Sequence, residues 1–306
     1  MVVTFNRHTL LLKSISALLG QTRPLDALII VDNASTDGTR EHLERLGHLG
    51  NPQIIYLLQT ENTGGAGGFK AGLQYCLERG FDWVWLADDD AIALPDTIEK
   101  LLAIDPQPAN LYGSSAVFQN QNDEWTLCWP CTADIADRPR TIRNLGEVSS
   151  VYETDLAPFL GCFVSGQLLS TIGLPDAGFF ISGDDLEFTE RARAHGARIF
   201  LVRDSLVQHP RPDDYTVTYF GRQFLCLRLP PWRRYYYVRN KIIIARLYYG
   251  ARLFTQTLPG LLLRMIATLK HEKQRRAQAS AFLLGIWHGV RNLRGRRVSP
   301  GKWSSV

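Results

Sequence analysis

The strongest constraint on the fold is the alternation of short β-rich runs with helix-like segments over the first 105 residues. Runs rich in branched and aromatic residues predict strands at residues 2–5, 27–31, 54–58 and 83–87. Between these runs, apolar residues recur at helical spacing. This order predicts an α/β fold in which a mostly parallel sheet carries helices on both faces. Ligands bind such sheets at the carboxyl ends of the strands, where polar residues follow each run.

The composition is that of a globular protein. The chain has 306 residues, of which 45% are hydrophobic and 21% charged, and these values exclude disorder, a collagen-like chain and a small disulfide scaffold. No run of about 18 uncharged apolar residues is present, so no transmembrane helix is predicted. The N-terminus lacks the pattern of a secretion signal. A cytoplasmic location is therefore expected.

Charge is unevenly divided along the chain. The first 227 residues hold 17 Lys and Arg against 29 Asp and Glu, a net charge of −12. The remaining residues hold 17 Lys and Arg against one acid, Glu272, a net charge of +16. We therefore predict two regions that face different partners. They are a first region at residues 1–228 and a basic helical region at residues 229–306.

Three consecutive carboxylates, Asp88, Asp89 and Asp90, follow the fourth predicted strand. Like charges this close repel one another, so a fold that gathers them needs a compensating cation, and carboxylate oxygens suit Mg²⁺ or Mn²⁺. Alternate side chains of an extended segment share a side, which predicts Asp88 and Asp90 together and Asp89 apart. The alternative is a solvated acidic turn, but the apolar run at residues 83–86 favours a buried strand leading into the triplet.

Two further motifs lie at predicted strand ends. Asp32 follows the second strand, where a carboxylate can accept hydrogen bonds from the base or ribose of a nucleotide. A glycine-rich loop at residues 62–68 lets the backbone approach a ligand closely at a helix start. By itself this loop is a weak signal, because Lys70 stands where the last glycine of G-x-G-x-x-G would be.

Further strands are predicted at residues 161–169, 179–181 and 198–202, and a helix at residues 185–195. The chain begins almost inside its first predicted strand. Either that strand is short or the start of the sequence is truncated.

Together with Thr4-Phe5-Asn6-Arg7, the ordered motifs resemble the family 2 glycosyltransferases of GT-A fold, over about residues 1–245. Segments 64–69, 83–90 and 234–240 resemble the galactofuranosyltransferase branch, and related rhamnosyltransferases share much of them. The resemblance implies an inverting transfer from a UDP-sugar, with Mn²⁺ or Mg²⁺ as cofactor. It also implies that residues 1–228 are the catalytic domain, with a nucleotide half at about 1–105 and an acceptor half at about 106–228.

The resemblance also implies roles for individual residues. It places Asp32 and the backbone near Thr4 at the uracil. The full set of nucleotide-sugar-binding candidates is Thr4, Asn6, Arg7, Asp32, Asn62, Gly65 and Asp89. The metal-binding candidates are Asp88, Asp90 and His209. A lone histidine is more often structural, but His209 follows a strand-like run as the family's metal-binding histidine does.

An acidic motif at residues 183–187 matches the acceptor side of the family. Asp185, the second acid, is the candidate base that removes the proton of the acceptor hydroxyl, and Asp184 is a candidate ligand of acceptor hydroxyls. Gly183 stands where a Trp commonly precedes the two acids in galactofuranosyltransferases. The alternative is that Asp184 or Asp185 only caps the following helix.

The basic C-terminal region has three interpretations. Its two apolar sets recur at helical spacing, namely Leu258, Leu261, Leu262, Met265, Ile266 and Leu269, then Phe282, Leu283, Ile286, Trp287 and Val290. Flanking Arg and Lys favour helices lying on an anionic membrane. The alternative is packing on the catalytic domain or on a second subunit in a homo-oligomer. Nucleic-acid binding through Arg233, Arg234, Arg239 and Lys241 is the third, but no nucleic-acid motif accompanies them, so no nucleic-acid partner is expected.

These observations predict a hexosyltransferase that moves galactofuranose from UDP-galactofuranose to a lipid-linked or polysaccharide acceptor in bacterial cell-surface glycan synthesis. The expected location is cytoplasmic, peripheral on the cytoplasmic face of the inner membrane. One alternative is a rhamnosyltransferase that uses dTDP-rhamnose. The other is a membrane-surface or nucleic-acid-binding protein without catalysis, against which intact Asp88, Asp90 and Asp185 count.

Overall fold

The computed structural model describes residues 1–120, 122, 124–133 and 140–303. The chain divides into two compact units, residues 1–176 with 185–211 and residues 177–184 with 212–306. This division follows compactness. The functional division at residue 228 stays a prediction.

A ten-stranded sheet forms the centre of the first unit, in the order β10-β12-β6-β11-β4-β1-β2-β3 with β5 beside β12 and β7 beside β6. The strands β8 and β9 pair with each other in a separate sheet. In chain order the strands are β1 (Val2–Thr4), β2 (Leu28–Asp32), β3 (Ile54–Leu58), β4 (Trp83–Asp88), β5 (Ile92–Ala93), β6 (Leu111–Gln119), β7 (Trp125–Leu127), β8 (Cys131–Ala133), β9 (Arg140–Ile142), β10 (Val151–Glu153), β11 (Leu160–Ser165) and β12 (Ile199–Gln208).

The four strands predicted in the first 105 residues run parallel, as expected. Beyond them the sheet is mixed, because β11 lies antiparallel between β4 and β6, while β6 and β12 pair in parallel. In register, Thr4 lies beside Asp32, and Val3 lies beside Asp88. The carboxyl ends of β1, β2 and β4 therefore meet at one edge of the sheet.

Helices cover both faces of this sheet, as predicted. Val2 and Val3 point to opposite faces, and α1 packs on the face of Val2 while α3 packs on the face of Val3. The helices are α1 (His8–Leu19), α2 (Thr39–Arg45), α3 (Gly64–Glu78), α4 (Thr97–Leu102), α5 (Gly166–Ile172) and α6 (Asp184–Ala194). The fold class is thus the predicted α/β architecture.

Two segments differ from their predicted structure. The strand expected at residues 161–169 ends at Ser165, whose hydroxyl accepts a hydrogen bond from the Leu168 backbone N–H (2.9 Å) and so caps α5. Residues 179–181 are not a strand. Ala177–Phe179 form a 3-10 turn, and Phe180 has a left-handed φ of 64°, which a β-ladder does not accommodate.

The second unit is built around helix α7 (Pro231–Ile244). The other elements of this unit are the hairpin strands β13 (Asp214–Tyr219) and β14 (Arg222–Leu227) and the helices α8 (Leu258–His271) and α9 (Arg275–Val290). A Cβ at Gly285 of α9 would lie 2.9 Å from the Tyr235 carbonyl oxygen, and one at Gly289 would lie 2.8 Å from Ile242 Cβ. Helix α9 therefore approaches α7 more closely than a side chain would permit.

Two arginines of α7 are buried, which makes the nucleic-acid interpretation wrong for these residues. Arg234 donates to the Glu272 carboxylate at 2.8 and 3.0 Å, and its side chain is 2% exposed. Arg239 donates to backbone carbonyls inside the unit. Both guanidinium groups are thus used within the fold and cannot reach a phosphate backbone.

Each of the two apolar sets in this unit is divided between core and surface. Leu261 and Phe282 are fully buried in the core around α7, as the packing interpretation expects. About half of the side-chain surface is exposed at Leu262, Ile266, Leu283, Trp287 and Val290. Within the described part of the chain, no helix combines the length and apolarity needed to span a membrane.

Candidate active site

The candidate site lies at the sheet edge where β1, β2 and β4 end. Asp89 is buried there and accepts hydrogen bonds from the last residue of β1 and from a residue of the following turn. Thr4 Oγ1 donates to Asp89 Oδ2 (2.7 Å), and Arg7 Nη1 donates to Asp89 Oδ1 (3.1 Å) and to Asp90 Oδ2 (2.8 Å). Desolvation raises the pKa of Asp89, although the Thr4 and Arg7 contacts act to lower it.

The predicted separation of Asp89 from Asp90 is wrong. A single nitrogen of Arg7 contacts both carboxylates. The reason is that β4 ends at Asp88, so Asp89 and Asp90 lie in a turn where side chains no longer alternate.

Asp90 and His209 are far apart in sequence and close together in space. Asp90 Oδ1 lies 3.7 Å from His209 Nε2, and His209 Nδ1 lies 2.7 Å from the Pro210 carbonyl oxygen. Because a carbonyl only accepts, Nδ1 carries the hydrogen and Nε2 keeps its lone pair on the side of Asp90. Burial lowers the pKa of His209, which favours the neutral ring.

This donor set fits a divalent cation. Two atoms that each lie about 2.1 Å from one ion are at most about 4.2 Å apart, and the separation between Asp90 and His209 is within that limit. The hydrogen bond from His209 to Pro210 is of the kind that orients a metal-ligating histidine. Within the described residues no three or more His, Cys, Asp and Glu side chains are grouped closely enough to hold a metal ion together, so the protein offers the pair Asp90 and His209. Water and substrate phosphate would therefore supply further ligands.

The predicted uracil-side residues hold the loop after β2. Asp32 is 1% exposed, and its two oxygens accept hydrogen bonds from the Ser35 backbone N–H and the Tyr56 hydroxyl. Asn6 Oδ1 accepts from the Thr36 backbone N–H (2.7 Å). Any contact of Asp32 with a nucleotide would use the remaining lone pairs of its carboxylate. Sequence analysis missed Tyr56, which sits mid-strand with no local signal.

Asn62 and Gly65 lie at the start of α3. Asn62 Oδ1 accepts from the Gly64 backbone N–H (2.8 Å). Sequence analysis also missed Asn33, whose side chain accepts from the Thr63 backbone N–H (3.0 Å) and donates to the Gly64 carbonyl (2.7 Å). Asn33 thereby ties the end of β2 to the glycine-rich loop. Its signal was its position, directly after Asp32 at a strand end.

Two glycines of the glycine-rich loop serve packing. A Cβ at Gly68 would lie 2.4 Å from Val3 Cγ1, and one at Gly67 would lie 2.2 Å from Thr63 Oγ1. These two buried glycines let α3 approach β1 and its own preceding turn, which is a packing reason for glycine at both positions. Close approach of a ligand to the loop stays a prediction. Gly65 is half-buried and stays a candidate.

A cleft of about 1410 Å³ opens beside Asp90 and His209 within the first unit. Its walls carry amide side chains, which both donate and accept hydrogen bonds and so suit the hydroxyl groups of sugars. These amides belong to Gln119, Asn120, Asn122, Asn144 and Gln208.

Asp184 and Asp185 are the first two residues of α6. Asp184 is 8% exposed, and Asp185 Oδ1 accepts from the Leu186 backbone N–H (2.8 Å). Desolvation raises the pKa of Asp185 above its ordinary 3.8, which makes its carboxylate a stronger base. The preceding Gly183 has a φ of 84°, a conformation in which a tryptophan would be strained, so glycine suits this position.

Comparison with known proteins identifies the family of this chain. A sequence model of the family described as Glycosyl transferase family 2 matches residues 1–158. The chain is 32% identical over 247 residues to the galactofuranosyltransferase GlfT1 of Mycobacterium tuberculosis (strain ATCC 25618 / H37Rv), which covers 78% of this chain and 79% of that protein. It is 23% identical over 249 residues to the dTDP-rhamnosyl transferase RfbF of Shigella flexneri. That match covers 80% of this chain and 78% of RfbF.

Among solved structures, GalNAc-T7 crystallised with UDP, GalNAc and Mn²⁺ superposes with a TM-score of 0.59 at 14% identity. The match covers 95% of this chain and 57% of that chain. At this identity the likeness shows the fold alone, and the fold is GT-A with C-terminal helices. The family model spans more than half of the chain, and GlfT1 is more than 30% identical over three quarters of it. The chain therefore belongs to glycosyl transferase family 2 and is a glycosyltransferase.

Proposed function

We propose that the chain is an inverting, metal-dependent glycosyltransferase that moves galactofuranose from UDP-galactofuranose to a lipid-linked or polysaccharide acceptor of the bacterial cell surface. The observation that carries the proposal is the approach of Asp90, His209 and Arg7 at the carboxyl edge of the parallel strands. The GlfT1 relative supports the galactofuranose donor, and the amide-lined cleft beside Asp90 supports a hydroxyl-rich substrate.

Asp90 and His209 would hold the Mn²⁺ or Mg²⁺ ion, and Asp88, at the end of β4, stays a candidate for a further ligand. When bound, the cation neutralises charge that develops on the leaving diphosphate. Arg7, whose side chain is 42% exposed, faces the same carboxylates and is accessible to a diphosphate oxygen. Thr4 and Asp89 keep Arg7 in place through their hydrogen bonds. Asn6, Asp32, Asn62 and Gly65 would line the nucleotide side.

Asp185 is the proposed base. The acceptor hydroxyl oxygen forms a bond to the anomeric carbon while the bond from that carbon to the diphosphate oxygen breaks. The hydroxyl proton passes to the Asp185 carboxylate, and UDP leaves with the electron pair of the broken bond. One displacement of this kind inverts the anomeric configuration. Asp184 would bind an acceptor hydroxyl.

A rhamnosyltransferase that uses dTDP-rhamnose is the second candidate. The 23% identity to RfbF over 78% of that protein's length favours it as the alternative.

Thermal unfolding with a panel of sugar nucleotides tests the donor. A ligand at 100 times its Kd stabilises a protein by about 2.7 kcal/mol, which corresponds to a rise in Tm of several degrees. We expect UDP and UDP-galactofuranose to raise Tm with Mn²⁺ and to lose that effect in EDTA, while GDP serves as the control. Stabilisation by dTDP-rhamnose alone would select the alternative donor, and no stabilisation by either would contradict the proposal.

We further propose that the second unit binds anionic membranes peripherally, at the cytoplasmic face. Leu283, Trp287 and Val290 lie four and three residues apart on one side of α9 and are each about half exposed. The Arg291 guanidinium lies 4.0 Å from the Trp287 ring, and Arg276 lines the same shallow groove as Leu283 and Trp287. Exposed apolar side chains flanked by arginine suit insertion at an anionic lipid surface.

Sedimentation with phosphatidylglycerol vesicles tests this surface. Deleting α8 and α9 would expose the core around α7, so we choose the surface double variant Leu283→Ser/Trp287→Ser. We expect vesicle binding to fall at least tenfold, because each side chain contributes about 1.5–3 kcal/mol when buried, and salt to release the wild type. Leu46→Ser, at a leucine 54% exposed in the first unit, is the matched control. A wild-type chain that ignores these vesicles at low salt would contradict the proposal.

A further inference from the structure

The segment that leads into α6 has an unusual backbone. Phe180 and Ser182 have φ values of 64° and 68°, and Gly183 has 84°. Left-handed backbone is unfavourable for residues with a Cβ, and it persists only where the surroundings hold it. Residues 177–183 directly precede Asp184, the first residue of α6. The contacts that hold this segment therefore help to determine the position of Asp184 and Asp185 at the start of α6.

Asn240 of α7 contacts three carbonyls of the segment. Its side-chain amide nitrogen donates to the carbonyl oxygens of Phe179 (3.0 Å), Ile181 (2.9 Å) and Ser182 (2.6 Å). An amide has two hydrogens, so the three acceptors share them. Asn240 is 1% exposed, and the hydrogen-bond acceptors of its buried Nδ2 are these carbonyls of the segment.

Arg239 orients that amide and adds its own contacts. Arg239 Nε donates to Asn240 Oδ1 (2.8 Å), which turns the amide nitrogen toward the segment. Arg239 Nη2 donates to the carbonyls of Phe179 (2.8 Å) and Gly178 (3.1 Å), and Nη1 donates to the Gly295 carbonyl (2.6 Å). Burying the Arg239 guanidinium costs desolvation free energy, which its hydrogen bonds to these carbonyl oxygens offset. A buried arginine at this position therefore indicates a specific role in holding the segment.

We propose that Arg239 and Asn240 are positioning residues, which hold the segment 177–183 with its left-handed Phe180, Ser182 and Gly183 and thereby fix the position of Asp184 and Asp185 at the start of α6. The proposal rests on the proposed function, in which these acids serve the acceptor. It gives a structural role to the end of the motif at residues 234–240, which sequence analysis singled out without one.

Hydrogen exchange and kinetics of Asn240→Ala test the proposal. We expect backbone amides of residues 178–186 to exchange at least tenfold faster. Per site that binds UDP with Mn²⁺, kcat should fall about tenfold or more, because small misplacement of a reacting group is costly. Donor affinity should stay unchanged. Counting by UDP-binding sites separates this loss from a smaller folded fraction.

Tyr236→Phe is the matched control on the same helix. It removes the hydrogen bond that the Tyr236 hydroxyl donates to the Val298 carbonyl and those that it accepts from the backbone N–H groups of Arg297 and Val298. Every contact of residues 177–183 with Asn240 stays in place. We expect normal exchange over residues 178–186 and normal kcat in this variant. Equal effects in both variants would reduce Asn240 to a general stabilising role and overturn the proposal.

Arg239→Lys is the second variant for the same test if Asn240→Ala does not fold. Lysine keeps the charge, but it cannot donate to Asn240 Oδ1 and to the segment's carbonyls at once. Unchanged exchange over residues 178–186 in the folded variant overturns the proposal. An unchanged kcat in Asp185→Asn, measured alongside, would instead refute the proposed base. The two failures are thus distinguishable.

Discussion

Asp90→Ala is expected to abolish turnover and the Mn²⁺-dependent binding of UDP together. The carboxylate of Asp90 lies between Arg7 and His209, so alanine removes a proposed metal ligand and leaves the imidazole as the remaining ligand of that pair. Metal sites of this class depend on one or two carboxylates together with substrate phosphates. Calorimetric titration of UDP with and without Mn²⁺, beside a UDP-release assay, measures both effects.

Asp96→Ala is the matched control for this variant. Asp96 is a surface carboxylate whose ion pair with Lys100 spans 3.7 Å, and its loss should leave UDP affinity and kcat within error of the wild type. Full activity of the wild type in excess EDTA would contradict metal dependence. Retained Mn²⁺-dependent binding in Asp90→Ala would remove Asp90 from the ligand set.

Asp185→Asn is expected to lower kcat by about 10²-fold or more, the lower range for general-base catalysis, while UDP and Mn²⁺ bind normally. Asparagine has nearly the same size, and its side-chain oxygen can keep the hydrogen bond from the Leu186 backbone N–H. It cannot take the proton of the acceptor hydroxyl. Steady-state kinetics with saturating donor, together with the UDP titration, separates kcat from donor affinity.

Asp184→Asn is the matched control, one position earlier on the same helix. A larger loss of kcat in Asp184→Asn would identify Asp184 as the base. Loss of donor affinity with unchanged kcat in Asp185→Asn would assign Asp185 to binding.

The parallel half of the sheet is predictable from sequence because its signals are local. Branched runs alternate with helical spacing, and β3 has the predicted bounds of residues 54–58. The order β4-β1-β2-β3 then brings Thr4, Asp32 and Asp88 to one edge. The sequence analysis predicted this, because it placed these polar residues at the carboxyl ends of parallel strands.

The contacts within the site depend on long-range packing and could not be predicted from local pattern. His209 reaches Asp90 because β12 runs beside β6, where the His209 backbone N–H donates to the Val117 carbonyl (2.9 Å). The sharing of Arg7 by Asp89 and Asp90 depends on a turn that begins one residue after β4 ends. Family resemblance proposed His209 as a ligand, and spacing alone did not.

The second unit shows where composition misleads. Arginine is seldom buried, so composition alone left nucleic-acid binding open as one interpretation of Arg234 and Arg239, although both are enclosed in the core. Helical periodicity also could not tell which apolar side chains of α8 and α9 pack inward, since Leu261 is buried and its neighbour Leu262 is exposed.

The pH dependence of kcat in the wild type and in Asp185→Asn tests the central claim most directly. A base acts only when deprotonated, and desolvation raises the pKa of Asp185. Wild-type kcat should therefore fall as the pH drops through that raised pKa, above the ordinary aspartate value. Burial raises the pKa of the neighbouring Cys162 thiol above its ordinary value. This thiol therefore does not titrate in the acidic range. We predict that Asp185→Asn lacks this acidic limb in its residual activity. An identical limb in both proteins would contradict the assignment of Asp185 as the base.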